Sequence, residues 1–428
     1  CDRRQRQMCI RDSTLAHSLY RRYEETFGRH QGEAFPEGCY PGEYLLPVAQ
    51  KLADEDGDKW LDRPEEEWVS YFKATAVADM MELIKASLAK INIVFDVFTS
   101  EKYLVENHKV QNTLDDMAAK ELTYVGVLPR PKGEDAEDWN PEEQLLFKAT
   151  AFGDDIDRVL ARANGVTTYF ASDIAYHMYK YERGFGKQLD VWGADHGGYV
   201  KRIKSALTAV SGGKAELEVR LCQIVNLEKD GKPFKMSKRA GNFVMIEDVL
   251  DEIDADAFRL FMIMKSADSQ MTFDLAKAKE QTKDNPVFYI QYAHARANSV
   301  LKKYADTFGR EVNPQDWKSL AYYADAAEIE RNLIKSIADY PSTVEAAAQG
   351  RAPQILTAYL EDLARQFHAL WTAGGREGIR FIDVENPEVS HKRMYLVTVL
   401  KSTIANGLRT LGVEPKETME NIKETVEE

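Results

Sequence analysis

Apolar residues recur at helical spacing along much of the chain. Leu15, Leu19 and Tyr23 fall four apart and predict a helix from Thr14 that ends at Gly28. Pro36 to Pro47 is rich in turn formers, and Tyr44 to Ala53 again reads as helix. Glu65 to Leu88 predicts a long helix carrying Trp68, Phe72, Thr75, Asp79 and Leu83, with small residues at its centre for close packing. Ile91 to Phe98 is β-branched and aromatic, the signature of a buried strand. Val105 to Lys120 predicts a helix, and Val125 to Trp139 a loop or edge hairpin. Leu145 to Thr150 and Arg158 to Leu160 predict two strands around the turn Gly153-Asp154-Asp155.

The middle of the chain changes rhythm. Thr168 is placed to cap a helix running to about Arg183, followed by a short strand from Gln188 into a glycine-rich turn. A helix over Tyr199 to Val210 and a strand over Glu218 to Val225 come next. Helix and strand in alternation predict an α/β, Rossmann-like fold with a doubly wound parallel sheet. After about Lys265 only helical periodicity remains. Phe288, Tyr292, Ala295 and Ser299 mark one face; Leu333 and Ile337 mark another. Leu356, Leu360, Leu363, Phe367 and Leu370 form a third stripe, and Val397, Leu400, Ile404, Leu408 and Leu411 a fourth. Stripes of this kind are cores of an all-α helical bundle. The expected division is a leader at 1–13, an α/β domain at 14–265, a connection at 266–280 and the bundle at 281–428, with an acidic, fraying tail after Pro415.

Composition adds exclusions. At 428 residues the chain has room for two or three domains, and 44% hydrophobic with 29% charged residues is ordinary for a globular protein. No apolar run reaches the roughly 18 residues of a membrane span. The four cysteines lack metal-ligand spacing, so no metal site is expected and a reducing, cytoplasmic setting is. A net charge of −14 argues weakly against nucleic acid, since a local basic surface suffices to bind phosphates. Residues 1–13 have neither apolar period nor the apolar core of a secretory signal, so they read as a foreign scar or mistranslated end, or else as a basic RNA-contacting arm.

Three groups of residues stand out chemically. Lys235, Lys238 and Arg239 pack three cations into five positions between Gly-x-Pro and Gly241. Cations on a mobile loop can close over a polyphosphate and neutralise charge developing on its leaving oxygens; the alternative is a solvated basic turn. Asp195 and His196 follow an apolar strand, where ligands of open α/β sheets gather, or are simply polar turn residues. Tyr169 and Asp173 lie four apart on one helix face. A carboxylate beside an aromatic ring suits a planar guanidinium, though such pairs also decorate surfaces.

Lys235-Met236-Ser237-Lys238, continued by Arg239-Ala240-Gly241-Asn242, resembles the mobile ATP-binding loop of class I aminoacyl-tRNA synthetases, in its arginyl form. Four further blocks are similar to bacterial arginyl-tRNA synthetases: Tyr40 to Tyr44, Tyr169 to Asp173, Asp190 to His196 and Asp256 to Arg259. The last resembles the Asp-Ala-Leu-Arg tetrapeptide that names the family's helical tRNA-binding module, and Phe288 to Arg296 resembles that module's opening helix. The resemblance runs from about Ser13 to Met419.

It implies that the carboxylate of L-arginine attacks the α-phosphate of ATP, with Mg2+ accompanying the nucleotide. Arginyl-adenylate forms and the arginyl group passes to tRNA(Arg). Lys235 and Lys238 are implied as catalytic, and Lys235, Met236, Ser237, Lys238, Asp195 and His196 as ATP-binding. Tyr169 and Asp173, with Asp195 and His196, are implied for arginine; Tyr292, Arg296, Trp371, Lys392 and Arg393 are candidates for tRNA. A cytoplasmic monomer is the expected form. One departure is visible: none of the eight histidines stands in the family's His-x-Gly-His nucleotide motif, and the amino-terminal tRNA-elbow domain has no counterpart. The expectation is a chain that starts within the catalytic domain, inactive or poorly stable by itself. The competing readings are a non-catalytic tRNA-binding protein, against which the intact lysine loop speaks, and a ligase for another amino acid such as cysteine.

Overall fold

The computed structural model describes residues 3–129, 142–229, 231–233, 245–280, 282, 285–313, 326–376 and 379–419, with side chains from Ser13 onward. The chain divides into two compact units, one built from 1–86 and 94–222, the other from 87–93, 223–236 and 243–428.

The first unit begins with three helices, α1 (Arg3–Thr26), α2 (Leu46–Asp56) and α3 (Glu65–Lys90). Helix α1 starts upstream of the expected Thr14, because residues 3–13 contain neither Gly nor Pro to stop it. Two members of the predicted stripe, Leu19 and Tyr23, are fully buried with Ala16 against Leu52 of α2 and Phe72 of α3, while Leu15 is only partly buried at the edge of that core. The Tyr20 ring stacks on Trp68 with centroids 3.9 Å apart.

The segment after α3 corrects the sequence reading. Ile91 to Phe98 forms no strand: Val94 is 78% and Phe95 55% exposed. The amides of Ile91 and Ile93 both donate to the Leu88 carbonyl, Asn92 turns to φ +54°, and no described strand pairs with Val94 to Phe98. A β-branched run becomes a strand only where a neighbour accepts its backbone hydrogen bonds. The helix expected over Val105 to Lys120 is also two, α4 (Glu101–Glu106) and α5 (Lys109–Ala119), interrupted by His108 at φ +54°.

Strands β1 (Thr123–Gly126), β2 (Gln144–Phe147) and β3 (Arg158–Ala161) form an antiparallel meander, with β2 and β3 paired as predicted. Helix α6 (Tyr169–Glu182) leads to β4 (Lys187–Gly193), a 3-10 turn (Ala194–Tyr199), α7 (Val200–Val210) and β5 (Glu216–Cys222). Strands β4 and β5 are parallel, joined through α7 as parallel strands must be. Ile174, Ile203, Ala206, Phe147 and Leu160 close the core between these helices and strands.

In the second unit β6 (Val225–Lys229) pairs with β7 (Lys232–Pro233) and, in parallel, with β8 (Met271–Asp274). The parallel pairing expected of a doubly wound sheet is therefore present as two separate strand pairs among the described residues, not as one continuous sheet. Strand β8 also interrupts the all-helical stretch expected after Lys265. Helices α8 (Ile246–Leu250), α9 (Ala255–Ile263) and α10 (Leu275–Lys279) surround it. Then come α11 (Pro286–Phe308), α12 (Glu328–Ala338), α13 (Tyr340–Gly350), α14 (Gln354–Arg376) and α15 (Pro387–Thr410). The predicted stripes on α14 and α15 are the bundle's core, with Leu360, Leu363, Phe367, Leu400, Ile404 and Leu408 fully buried. Gly407 allows α14 and α15 to approach closely, since a Cβ there would stand 2.6 Å from Leu360. Among the described residues no helix is long and apolar enough to cross a membrane.

Candidate functional site

Helix α6 starts where β3 ends. Thr168 occupies the cap position, yet its hydroxyl donates to the carbonyl of Val159 at 2.9 Å instead of capping the helix. That bond ties the helix start to the strand and fixes the direction of the first two turns. Tyr169 and Asp173 leave those turns on one face, as their spacing predicted, and both are half-buried.

The carboxylate of Asp173 accepts a hydrogen bond from the hydroxyl of Tyr199, 2.5 Å from Oδ2. No described Lys, Arg or His forms an ion pair with it. Burial pushes its carboxyl above the ordinary range, and the Tyr199 bond and the charges of His177 and Lys180 only partly oppose this. The neighbouring carboxylate is treated differently. Asp190 points from β4 toward α6 and receives His177 Nε2 at 2.8 Å and Lys180 Nζ at 2.9 Å. Burial works against its charge, but these two donors hold its carboxyl below the usual value. His177 also donates from Nδ1 to the Asp173 carbonyl at 2.7 Å, so the ring spans helix and strand.

Two carboxylates close in space thus have opposite situations among the described residues: Asp190 is paired with two cationic donors, and Asp173 with a hydroxyl alone. A half-buried carboxylate with no described cation beside it has the chemistry to accept one.

Asp195 and His196 sit in the turn after β4, with side chains 80% and 60% exposed and 3.6 Å between them. Trp192 links them to the rest: its ring lies 6.4 Å from His196 and 5.9 Å from Tyr199. Tyr199 therefore connects the Asp195–His196 turn to Asp173. Sequence reasoning missed Tyr199, whose partner lies 26 residues away. It also missed the His177–Asp190–Lys180 cluster, although the i, i+3 spacing of His177 and Lys180 was a usable signal. Lys235, Met236, Ser237 and Lys238 lie outside the described residues.

In the second unit, Tyr292, Arg296 and Trp371 come together. The Arg296 guanidinium lies between two rings, 4.6 Å from the Tyr292 centroid and 5.0 Å from that of Trp371. It donates to the Tyr292 hydroxyl at 3.0 Å and to His368 Nδ1 at 2.8 Å. All three residues line a cavity of about 620 Å³, with Lys303, Arg380 and Phe381. Trp371 is 41% exposed, so part of its ring remains accessible. Lys392 and Arg393 are not among the residues lining this cavity. Lys392 pairs with Glu388 at 3.0 Å, and Arg393 with the nearly buried Glu330 at 2.8 Å.

The model of the DALR anticodon binding domain matches residues 290–419. The arginine–tRNA ligase of Nitrobacter hamburgensis is 48% identical over 409 residues, covering 93% of this chain and 68% of the relative. A Campylobacter jejuni protein described as an arginyl-tRNA synthetase superposes with a TM-score of 0.79 at 29% identity, over 95% of this chain and 82% of that one. The Thermus thermophilus arginyl-tRNA synthetase shares the fold, with a TM-score of 0.65 at 20% identity over 95% and 74%. With nearly half its residues identical across two thirds of a curated relative, the chain belongs to the arginine–tRNA ligases, class I aminoacyl-tRNA synthetases that join a Rossmann-like domain to a helical anticodon-binding one.

Proposed function

We propose that the first two turns of α6 form the L-arginine site of this ligase, with Asp173 pairing the guanidinium and the Tyr169 ring flanking it. Asp195 and His196 then face the amino-acid and adenosine end, where the arginine carboxylate meets the ATP α-phosphate. Lys235, Met236, Ser237 and Lys238 hold the triphosphate with its Mg2+, and Lys235 and Lys238 stabilise charge as pyrophosphate leaves. The arginyl group passes from the adenylate to the terminal ribose of tRNA(Arg). The observation that carries this reading is the half-buried Asp173 carboxylate, provided with a hydroxyl donor but with no described cation.

We assign residues 14–265 to the catalytic domain, 266–280 to a connection and 281–428 to the anticodon-binding bundle. In the bundle, the cavity lined by Tyr292, Arg296 and Trp371 offers ring faces and a cation to splayed single-stranded bases. Lys392 stands as a candidate phosphate contact; the ion pair of Arg393 gives that residue structural work first.

The test is Asp173→Asn. Calorimetric titration with L-arginine is expected to show affinity lower by about 10²-fold or more, because the amide cannot balance a guanidinium charge. Citrulline, which has no charge to pair, should discriminate little between the two proteins. Unchanged arginine affinity in Asp173→Asn would remove α6 as the guanidinium site.

A further inference from the structure

We propose that Tyr199 is a positioning residue for arginine recognition: its hydroxyl aims the Asp173 carboxylate and holds it ionised for the guanidinium. The inference rests on the assignment of Asp173 to the arginine site. Its own basis is geometric. Tyr199 closes the turn that begins with Asp195 and His196, and its hydroxyl reaches across to Oδ2 of Asp173 at 2.5 Å.

The Tyr199 ring is held from several sides. Phe170, next to Tyr169 on α6, meets it edge-on at 6.2 Å and 81°. Trp192 of β4 lies 5.9 Å away, and the Arg202 guanidinium stands 5.1 Å from the ring centroid. A phenol fixed by three neighbours delivers its proton to one point. The carboxylate it meets would otherwise rotate broadly about its last torsion. Holding one oxygen sets the plane of the group and leaves the other oxygen for an incoming planar cation.

The same bond acts on charge. Burial disfavours the Asp173 carboxylate, and so does the negative charge of Asp190; His177 and Lys180 act in the other direction. These are the charged groups facing it from α6 and β4, and Tyr199 is the hydrogen-bond donor facing it from the turn. A donor to an ionised carboxylate favours that form. Without it, the group takes up a proton at higher pH and loses its attraction for a guanidinium there. The turn that carries Asp195 and His196 is thereby coupled to the arginine carboxylate through one side chain.

Tyr199→Phe keeps the ring and removes only the donor. L-Arginine is titrated calorimetrically into the wild-type chain, Tyr199→Phe and Asp173→Asn between pH 5 and pH 8. Tyr199→Phe is expected to weaken arginine about tenfold at neutral pH. The pH below which arginine affinity falls should move upward in that variant, and the carbon-13 carboxyl shift of Asp173 should titrate at higher pH. A merely structural role for Tyr199 would not move either profile. If Asp173→Asn loses arginine while Tyr199→Phe matches wild type in affinity and both profiles, the positioning role is wrong and the arginine site stands. If Asp173→Asn binds arginine like wild type, or the wild-type chain takes up none, the site assignment fails and this inference with it.

Discussion

The Arg259 guanidinium donates from Nε to the carbonyl oxygen of Leu411, 2.6 Å away and 152 residues distant in sequence. Its Nη1 reaches the carbonyl of Ile91 at 2.9 Å, and Asn92 returns a bond to the Gly412 carbonyl at 3.0 Å. The last residue of the Asp256-Ala257-Phe258-Arg259 tetrapeptide therefore clamps the end of α15 to the turn after α3, inside the second unit. Gly412 completes the clamp: its φ is +74°, and a Cβ there would meet the guanidinium at 2.5 Å.

Arg259→Ala should therefore cost stability. Removing it leaves the carbonyls of Leu411, Ile91 and Asn92 without this donor, so a loss of about 2 kcal/mol is expected from urea unfolding of the second unit. Arg259→Lys, with one charged group in place of a planar fork, should recover only part. A midpoint unchanged in Arg259→Ala would show that water replaces the clamp at no cost.

Arg393 separates structure from recognition. Its side chain is 14% exposed and that of Glu330 4%, and Glu330 also accepts from the Ala327 amide at 2.9 Å to cap α12. Arg393→Ala removes the ion-pair partner of a nearly buried carboxylate and should lower stability by about 3 kcal/mol. The double variant Arg393→Met with Glu330→Gln should regain much of it. If instead Arg393→Ala unfolds like wild type but binds tRNA weakly, the residue belongs to the RNA surface.

How much of this was legible in the sequence depends on the range of the interaction. The stripes on α14 and α15 were readable because a helix repeats its buried face every three or four residues. Tyr169 and Asp173 were readable for the same reason. Tyr199, Arg259 and the Arg393–Glu330 pair were not, since their partners lie 26, 152 and 63 residues away and no local period records them. Ile91 to Phe98 was misread because residue type fixes strand propensity, not the presence of a neighbouring strand. The β4 strand shows a related limit: Gln188 donates to the His177 carbonyl of α6 and Asp190 accepts from His177 and Lys180, while Leu189 and Val191 are 47% and 66% exposed.

The Arg296 sandwich predicts a specific RNA phenotype. Trp371→Ala removes a partly exposed ring, and stacking of a base on such a ring is worth about 1–3 kcal/mol. Binding of a tRNA(Arg) anticodon stem-loop should weaken at least about tenfold, measured by fluorescence anisotropy, with arginine affinity unchanged. Arg296→Ala should weaken it comparably. Equal affinity for the stem-loop in both variants would exclude the cavity as its seat.

The same cluster predicts how stability depends on pH. Burial and the adjacent Arg296 charge push His368 down from 6.5 to about 4. Its Nδ1 accepts from Arg296, so a proton there would both break that bond and place two cations together. Proton counting sets the sign. Between about 4 and 6.5 the unfolded chain carries the His368 proton and the folded one does not, so stability rises with pH across that window and is lost on acidification through it. The contribution is fully present above 6.5 and should fall by on the order of 2 kcal/mol by pH 5. His294, lowered by burial beneath the Lys416 carbonyl it contacts, acts in the same direction. Denaturant unfolding of the second unit at pH 7 and pH 5 reads the difference. His368→Gln can still accept from Arg296 and cannot titrate, so it should flatten the pH slope while keeping most of the neutral-pH stability. An unaltered slope in that variant would assign the acid sensitivity to His294 and the carboxylates instead.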